Sequence, residues 1–330
     1  MRDSILIPLD GSPFGEQALP MALDLARRMG AEVHLVHVHQ PVRPAPYAEG
    51  LPAYNGELEE EARMREEQYL ASLANRSAET AGVVVRRALL EGPVAPALSR
   101  YAEEEEIGLV VMTTHGRGGL SRAWLGSVAD ALIRQVNVPV LLLRPGKEAA
   151  AAEPREFRRI LIPLDGSKLA ESAIGTAEAI GRLSGAEYTL LQVVVPPFVL
   201  VPPRSTTVGS LPYEDMALHE QQAAEYLETV ADPLRARGHE VNAVVETHTN
   251  PAQAVLEYAQ AHDIDLIAMS THGRVGFSRI ALGSVSDKVL RGADVPVLLQ
   301  RGAAVAAPEA ERQGEGAAQL ELVERPGAAG

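Results

Sequence analysis

The sequence predicts an α/β fold built twice: two tandem doubly wound domains, each a parallel sheet flanked by helices. Three observations predict it. First, the chain repeats itself. ILIPLDGS at Ile5–Ser12 returns at Ile160–Ser167, MTTHGRGGLSRAWLGSVAD at Met112–Asp130 returns as MSTHGRVGFSRIALGSVSD at Met269–Asp287, and VPVLL at Val138–Leu142 returns at Val295–Leu299. The order of the three signals is kept, and a period this long describes a duplicated domain rather than a solenoid. Second, short Val/Ile/Leu runs alternate with helical segments, the signature of βαβ units whose sheet is covered on both faces. Third, 330 residues are enough for two domains of ordinary size.

Taken in order, Ser4–Leu9 and Arg159–Leu164 read as buried first strands. A helix follows each; in the first half it is expected from Ser12 to Gly30, with Pro13 in the first turn, where its missing N–H costs nothing. Second strands are expected at Glu32–Val38 and Glu187–Val195, then Pro-rich loops over 39–56 and 196–213 and polar helices over Leu58–Ala81 and Glu214–Arg237. Val83–Ala88 and Glu240–Val245 read as third strands, Val94–Glu105 and Pro251–His262 as helices, and Leu109–Met112 and Leu266–Met269 as fourth strands. A last helix, Val128–Gln135 or Val285–Arg291, precedes VPVLL as the fifth strand of each half.

The expected domains are residues 1–146 and 157–302, joined by a linker over 147–156 whose prolines and alanines punctuate the chain, with a disordered tail over 303–330. Composition narrows the function. Hydrophobic residues at 46% and charged residues at 22% fit a soluble globular protein, and 4% aromatics make the cores aliphatic. There is no cysteine, which excludes disulfides, thiolate metal sites and cysteine nucleophiles. A formal charge of −14 argues against nucleic acid as a partner, since phosphate contacts need Lys and Arg. No apolar run is long enough for a membrane span, and the apolar run at Ile5–Ile7 stops at Pro8, so a signal peptide is not expected and the cytoplasm is the expected location.

Strand-to-loop junctions carry the chemistry, because ligands of open α/β sheets bind outside the carboxyl ends of the strands. Gly116 with Gly126-Ser127, and Gly273 with Gly283-Ser284, place one glycine in a turn after a strand and a Gly-Ser pair at a helix start. Helix N-termini favour anions, and Arg117 and Arg274 add charge, so these turns suit a polyphosphate. The local alternative is a capping box of Ser127 with Asp130 and of Ser284 with Asp287. Neither a Rossmann GxGxxG nor a Walker GxxxxGK[ST] sequence occurs. Asp10 and Asp165, each ending a strand in Pro-Leu-Asp-Gly-Ser, would bind a ribose or an adenine amino group, or else close an Asx turn. His115 and His272 would donate a hydrogen bond at a phosphate site or pack at the strand exit. His37 and His39 share a strand face that excludes His34, too few ligands for a metal site, and none is expected. The acidic stretches Glu59–Glu67 and Glu103–Glu106 read as solvated faces. The loops holding Tyr47, Tyr54 and Tyr213 would cover the ligand edge as lids or lie clear of it.

ILIPLDGS, the Gly-x9-Gly-Ser motif preceded by Thr-His, and the closing VPVLL together resemble the universal stress protein family, in both halves and over about 290 residues. The resemblance implies a five-stranded parallel sheet per domain in the order 3-2-1-4-5, pairing of domains through their last strands as an intrachain pseudo-dimer, and scope for a homodimer. It also implies adenine nucleotide binding, with ATP as the cofactor, alone or with Mg. By position, Asp10 and Asp165, beside Pro8, Leu9, Pro163 and Leu164, would meet the adenosine; Val38 and Val193 would recognise adenine through their backbones; Met112 and Met269 would line the base or ribose pocket. His115, Gly116, Arg117, Gly126, Ser127 and Val128 would approach the phosphates, as would His272, Gly273, Arg274, Gly283, Ser284 and Val285. The ATP-binding branch has a further glycine where this chain has Thr113 and Ser270, whose hydroxyls would face ribose or phosphate, or whose Cβ atoms would crowd the pocket. The leading expectation is an ATP-binding stress-response protein with up to two sites, regulatory rather than strongly catalytic. The alternatives are a nucleotide-independent assembly module of the same fold and a slow ATPase or autophosphorylating enzyme.

Overall fold

The computed structural model describes residues 3–41, 56–114, 125–144, 154–196, 213–271 and 282–301. The first half runs β1 (Ser4–Leu9), α1 (Pro13–Glu16), α2 (Leu19–Met29), β2 (Glu32–His39), α3 (Gly56–Ala81), β3 (Val85–Glu91), α4 (Val94–Glu104), β4 (Leu109–Thr113), α5 (Ser127–Gln135) and β5 (Val140–Leu143). The second runs β6 (Arg159–Leu164), α6 (Lys168–Gly181), β7 (Glu187–Val194), α7 (Tyr213–Ala236), β8 (Glu240–Thr247), α8 (Pro251–Ala261), β9 (Leu266–Ser270), α9 (Ser284–Gly292) and β10 (Val297–Gln300).

All ten strands join in one sheet, in the order β3-β2-β1-β4-β5-β10-β9-β6-β7-β8. Each half therefore has the expected 3-2-1-4-5 order, with parallel pairing throughout. The halves meet last strand to last strand, antiparallel, Val140 opposite Leu299 and Leu142 opposite Val297. Strand alternation sends successive side chains to two apolar cores, one per face. Ile5, Ile7 and Leu9 pack with α2 and α3, while Leu6 packs with α4 and α5. Both cores continue through the second half. The outer strand β3 is half exposed and carries Arg86 and Arg87, charges that discourage edge-to-edge pairing.

An arginine after each fifth strand reinforces the junction. Arg144 donates to the carbonyls of Arg291 and Ala293 at 3.1 and 2.7 Å and pairs with Asp294 at 2.7 Å. Arg301 returns the contact to the Gln135 carbonyl and Asn137 Oδ1 at 3.4 and 3.2 Å. Each cation thus sits at the carbonyl end of the other half's last helix, where the dipole favours positive charge.

Three expectations need correction. The helix expected over Ser12–Gly30 is two helices, because Pro20 stands in the first turn of α2; it has no N–H to bond back to the preceding turn. Gly175 occupies the matching place in the second half, and α6 continues unbroken. β3 begins at Val85 rather than Val83, since its pairing with β2 runs from Val33↔Val85 to His39↔Glu91. The capping boxes do not form: Gly126 and Gly283 are the N-caps, and Ser127 and Ser284 lie inside the helices. Asp130 and Asp287 instead pair with Arg134 and Arg291, one turn on.

Candidate functional site

β1 and β4 are neighbours in the sheet, yet the chain leaves them for opposite faces: α2 packs on one core and α5 on the other. β6 and β9 repeat this with α6 and α9. A crevice opens at such a switch point, at the carboxyl edge of the strands.

One wall is the Asp turn. Asp10 Oδ1 accepts from Ser12 N at 2.9 Å and Ser12 Oγ at 2.6 Å, and Ser12 Oγ accepts from Gly15 N at 3.1 Å. Gly11 makes the corner with φ of 77°, accessible without strain to glycine. In the second half Asp165 Oδ1 accepts from Ser167 N and Oγ at 3.0 and 2.6 Å, and Ser167 Oγ accepts from Ala170 N at 3.1 Å. The Asx-turn reading therefore holds, and it fixes each carboxylate at the end of its strand. Pro8 and Leu9 lie opposite Val36 and His37; Pro163 and Leu164 lie opposite Leu191 and Gln192.

The other wall is the Gly-Ser helix start. Gly126 N donates to the Thr114 carbonyl at 2.8 Å, and Gly283 N to Thr271 at the same distance. Backbone bonds of Thr114 N to Leu143 and Thr271 N to Gln300, both 2.9 Å, fix these residues to the last strands. The first i−4 bonds of the helices come from Asp130 N and Asp287 N, so helical geometry leaves the N–H groups of Ser127 and Val128, and of Ser284 and Val285, directed past the helix end. Ser127 and Ser284 are exposed there.

Between the walls, Val38 and Met112 lie on the same face of the sheet, as do Val193 and Met269. Thr113 and Ser270 are buried at the strand ends. His115, Gly116, Arg117, His272, Gly273 and Arg274 lie outside the described residues, as do nearly all of both expected lids and the 303–330 tail.

Two features escaped the sequence reading. Glu60, Glu61 and Glu67 are exposed, as expected, but Glu59 and Glu66 are only partly so: they turn inward to His39, at 2.5 Å from its Nε2 and 2.7 Å from its Nδ1. Their seven-residue spacing, which places both on one helix face, was the available signal. Glu103–Glu106 is exposed, as expected. The second feature is Gln192. Its Oε1 is buried, and among the described residues it is a side-chain oxygen without a hydrogen-bond partner. Among the described residues no group of three or more His, Asp or Glu is arranged to hold a metal ion, and no helix is long and apolar enough to cross a membrane.

The profile of the universal stress protein family matches residues 1–144 and again 156–301. The chain belongs to the universal stress protein family. A universal stress protein of Mycolicibacterium smegmatis is 30% identical over 298 residues, spanning 90% of this chain and 96% of that protein. A single-domain-length match, a universal stress protein of Methanocaldococcus jannaschii, is 36% identical over 145 residues, 44% of this chain and 83% of its own length. Among solved structures, a universal stress protein from Archaeoglobus fulgidus superposes with a TM-score of 0.65 at 20% identity, covering 91% of this chain and 98% of that one, which shows the shared fold. This universal stress protein is thus a tandem one, its two domains paired as a pseudo-dimer within the chain.

Proposed function

We propose that this tandem universal stress protein binds ATP, one molecule per half, and acts in the stress response by regulation rather than by turnover. The observation that carries this reading is the twofold pairing, at the ends of neighbouring strands, of an Asp carboxylate held by its turn with a Gly-Ser helix start that has no side-chain cap. The carboxylate suits the hydroxyls or amino group of adenosine. The helix start suits phosphates, by its N–H groups and dipole. Val38 with Met112, and Val193 with Met269, supply an apolar floor for a base. One carboxylate per site, its Oδ1 already engaged by the turn, supports positioning over proton abstraction. Any Mg would travel with the nucleotide. Thr113 and Ser270 favour the second reading, a nucleotide-independent assembly module, because each puts a Cβ where the resemblance to the family's ATP-binding branch implies a glycine.

The test is calorimetric titration of ATP–Mg into nucleotide-stripped protein, alongside Ser127→Asp, Ser284→Asp and the double variant. Asp at a helix start is tolerated by the dipole but repels phosphate. Two sites per chain, one in each single variant and none in the double, is the expected result. Folded protein that takes up no nucleotide at millimolar ATP overturns the reading in favour of the assembly module.

A further inference from the structure

The two halves superimpose closely enough in sequence to be compared position by position. Tyr69 donates to Glu16 Oε1 at 3.0 Å and Tyr226 to Glu171 Oε1 at 3.2 Å, which sets α3 and α7 in common register on their domains. In that register His37, His39, Glu59 and Glu66 correspond to Gln192, Val194, Met216 and Ala223. Four ionisable residues that meet in the first half are four non-ionisable ones in the second.

Their geometry in the first half is specific. His39 is 1% exposed. Its Nδ1 faces Glu66 Oε2 at 2.7 Å and its Nε2 faces Glu59 Oε1 at 2.5 Å. An imidazolium donates from both nitrogens, so it satisfies both carboxylates at once. A neutral imidazole has one N–H, and its other nitrogen would turn a lone pair toward a carboxylate. The neighbouring groups are accounted for. On β2, His37 bonds the Leu9 carbonyl of β1 through Nδ1 at 2.8 Å and places Nε2 3.4 Å from Glu66 Oε1. On β3, Glu91, opposite His39, is taken by Arg63 of α3. Two carboxylates therefore face His39, Glu66 is shared with His37, and Arg63, one turn beyond Glu59 on α3, adds a positive charge near Glu59. Burial alone would push the His39 pKa down, but the bonds to Glu59 and Glu66 and their charges outweigh it, and the pKa rises above the ordinary 6.5.

We propose that His39 is a proton-operated latch between β2 and α3, built into the first half alone: protonated, it holds the start of α3 against the carboxyl edge of the sheet, and neutral, it releases it. A folded-state pKa above the unfolded one gives stability that is complete below about 6.5 and is lost as pH rises through the raised value. Alkalinisation therefore loosens the edge beside Val38, and the start of α7, where Met216 and Ala223 stand for the two glutamates, has no matching latch to release. The latch does not depend on what the crevice binds.

The full chain tests it by backbone hydrogen exchange across a pH series, each rate divided by the intrinsic rate at that pH, with the His39 ring titration followed by NMR. The expected result is loss of protection at the start of α3 as pH rises, in step with the ring titration, with no such loss in α7. A four-residue variant carrying the second half's residues (His37→Gln, His39→Val, Glu59→Met, Glu66→Ala) is expected to fold and to lose the pH dependence. The proposal is overturned by equal loss in α3 and α7, by His39 titrating below the ordinary imidazole range, or by an α3-specific loss that persists in the variant.

Discussion

The two halves share their backbone and differ in where they bury charge. Both close the same Asx turn, make the same Tyr–Glu bond and cap the other's last helix. The first half keeps its charge knot at the carboxyl edge, around His39. The second keeps one at the opposite edge, where Glu178 of α6 meets Arg182, Arg237 and His239. The matching first-half positions hold Leu23, Arg27, Thr80 and Val83. Parallel pairing and apolar alternation are thus the part of a duplicated domain that cannot drift independently, whereas a buried charge can be gained or lost provided its partners change with it.

The largest expected effect comes from breaking the second knot. Glu178 is 12% exposed at its side chain and binds Arg237 Nε and His239 Nε2 at 2.9 and 2.8 Å. Glu178→Ala leaves those partners uncompensated and is expected to cost about 2–4 kcal/mol, read by denaturant unfolding. Glu178→Leu with Arg237→Thr and His239→Val, the first half's residues, should recover most of it; equal loss in both would show that the charges are not a unit. Burial opposes the Glu178 charge, but hydrogen bonds from Arg237, His239 and Arg182 and the charge of Arg237 win and lower its pKa to about 2. A depressed folded pKa gives stability present above the ordinary 4.5 and lost as pH falls toward 2, about 1–3 kcal/mol allowing for solvent screening. Glu178→Ala should remove that acid-sensitive component.

Legibility divides along the same line. Strand alternation and βαβ order are local patterns, so the parallel sheets and their helices could be read directly, and the duplication made each half a check on the other. Asp10-Gly11-Ser12 is local too, and its turn was foreseen as one of two readings. Glu59 and Glu66 share a helix face, a signal the helix does carry, but the partner that draws them inward, His39, lies 20 and 27 positions earlier in the chain, and helix spacing alone does not say whether that face meets water or a buried ring. Ser127 was misread by a single position: Gly126 takes the cap because its N–H is held by Thr114, a contact that depends on β5 and not on the motif. Pro20 was visible in the sequence, but its weight against a continuous helix depended on where α2 starts.

A middle-sized effect sharpens the comparison at the junction. Among the described residues, the contacts that Arg144 makes across the junction are 2.7–3.1 Å long, and those that Arg301 makes with Gln135 and Asn137 are 3.4 and 3.2 Å. Charge-assisted bonds weaken with length. Arg144→Ala is expected to cost about 1–2 kcal/mol and Arg301→Ala about 0.5 kcal/mol or less in thermal unfolding. Equal costs would make the two caps equivalent despite their geometry.

The smallest effect on stability isolates the Asp turn. A Cβ added at Gly15 would stand 2.7 Å from Asp10 Oδ1, yet the second half carries Ala170 at the matching position with its turn intact. Gly15→Ala therefore sets two terms against each other. Alanine favours a helix over glycine by about 0.5–1 kcal/mol, while the close contact forces the Asp10 carboxylate to move by a few tenths of an ångström. The expected net change in stability is within about 0.5 kcal/mol, because a short side chain beside a crevice can shift where a packed core cannot. The displaced carboxylate, however, is the group proposed to meet the ligand. ATP affinity of the first site should fall severalfold in calorimetry while the second site stays as it was. An affinity unchanged at both sites would mean that Asp10 serves the turn alone, and that the difference between Gly15 and Ala170 lies in the helix and not in the site.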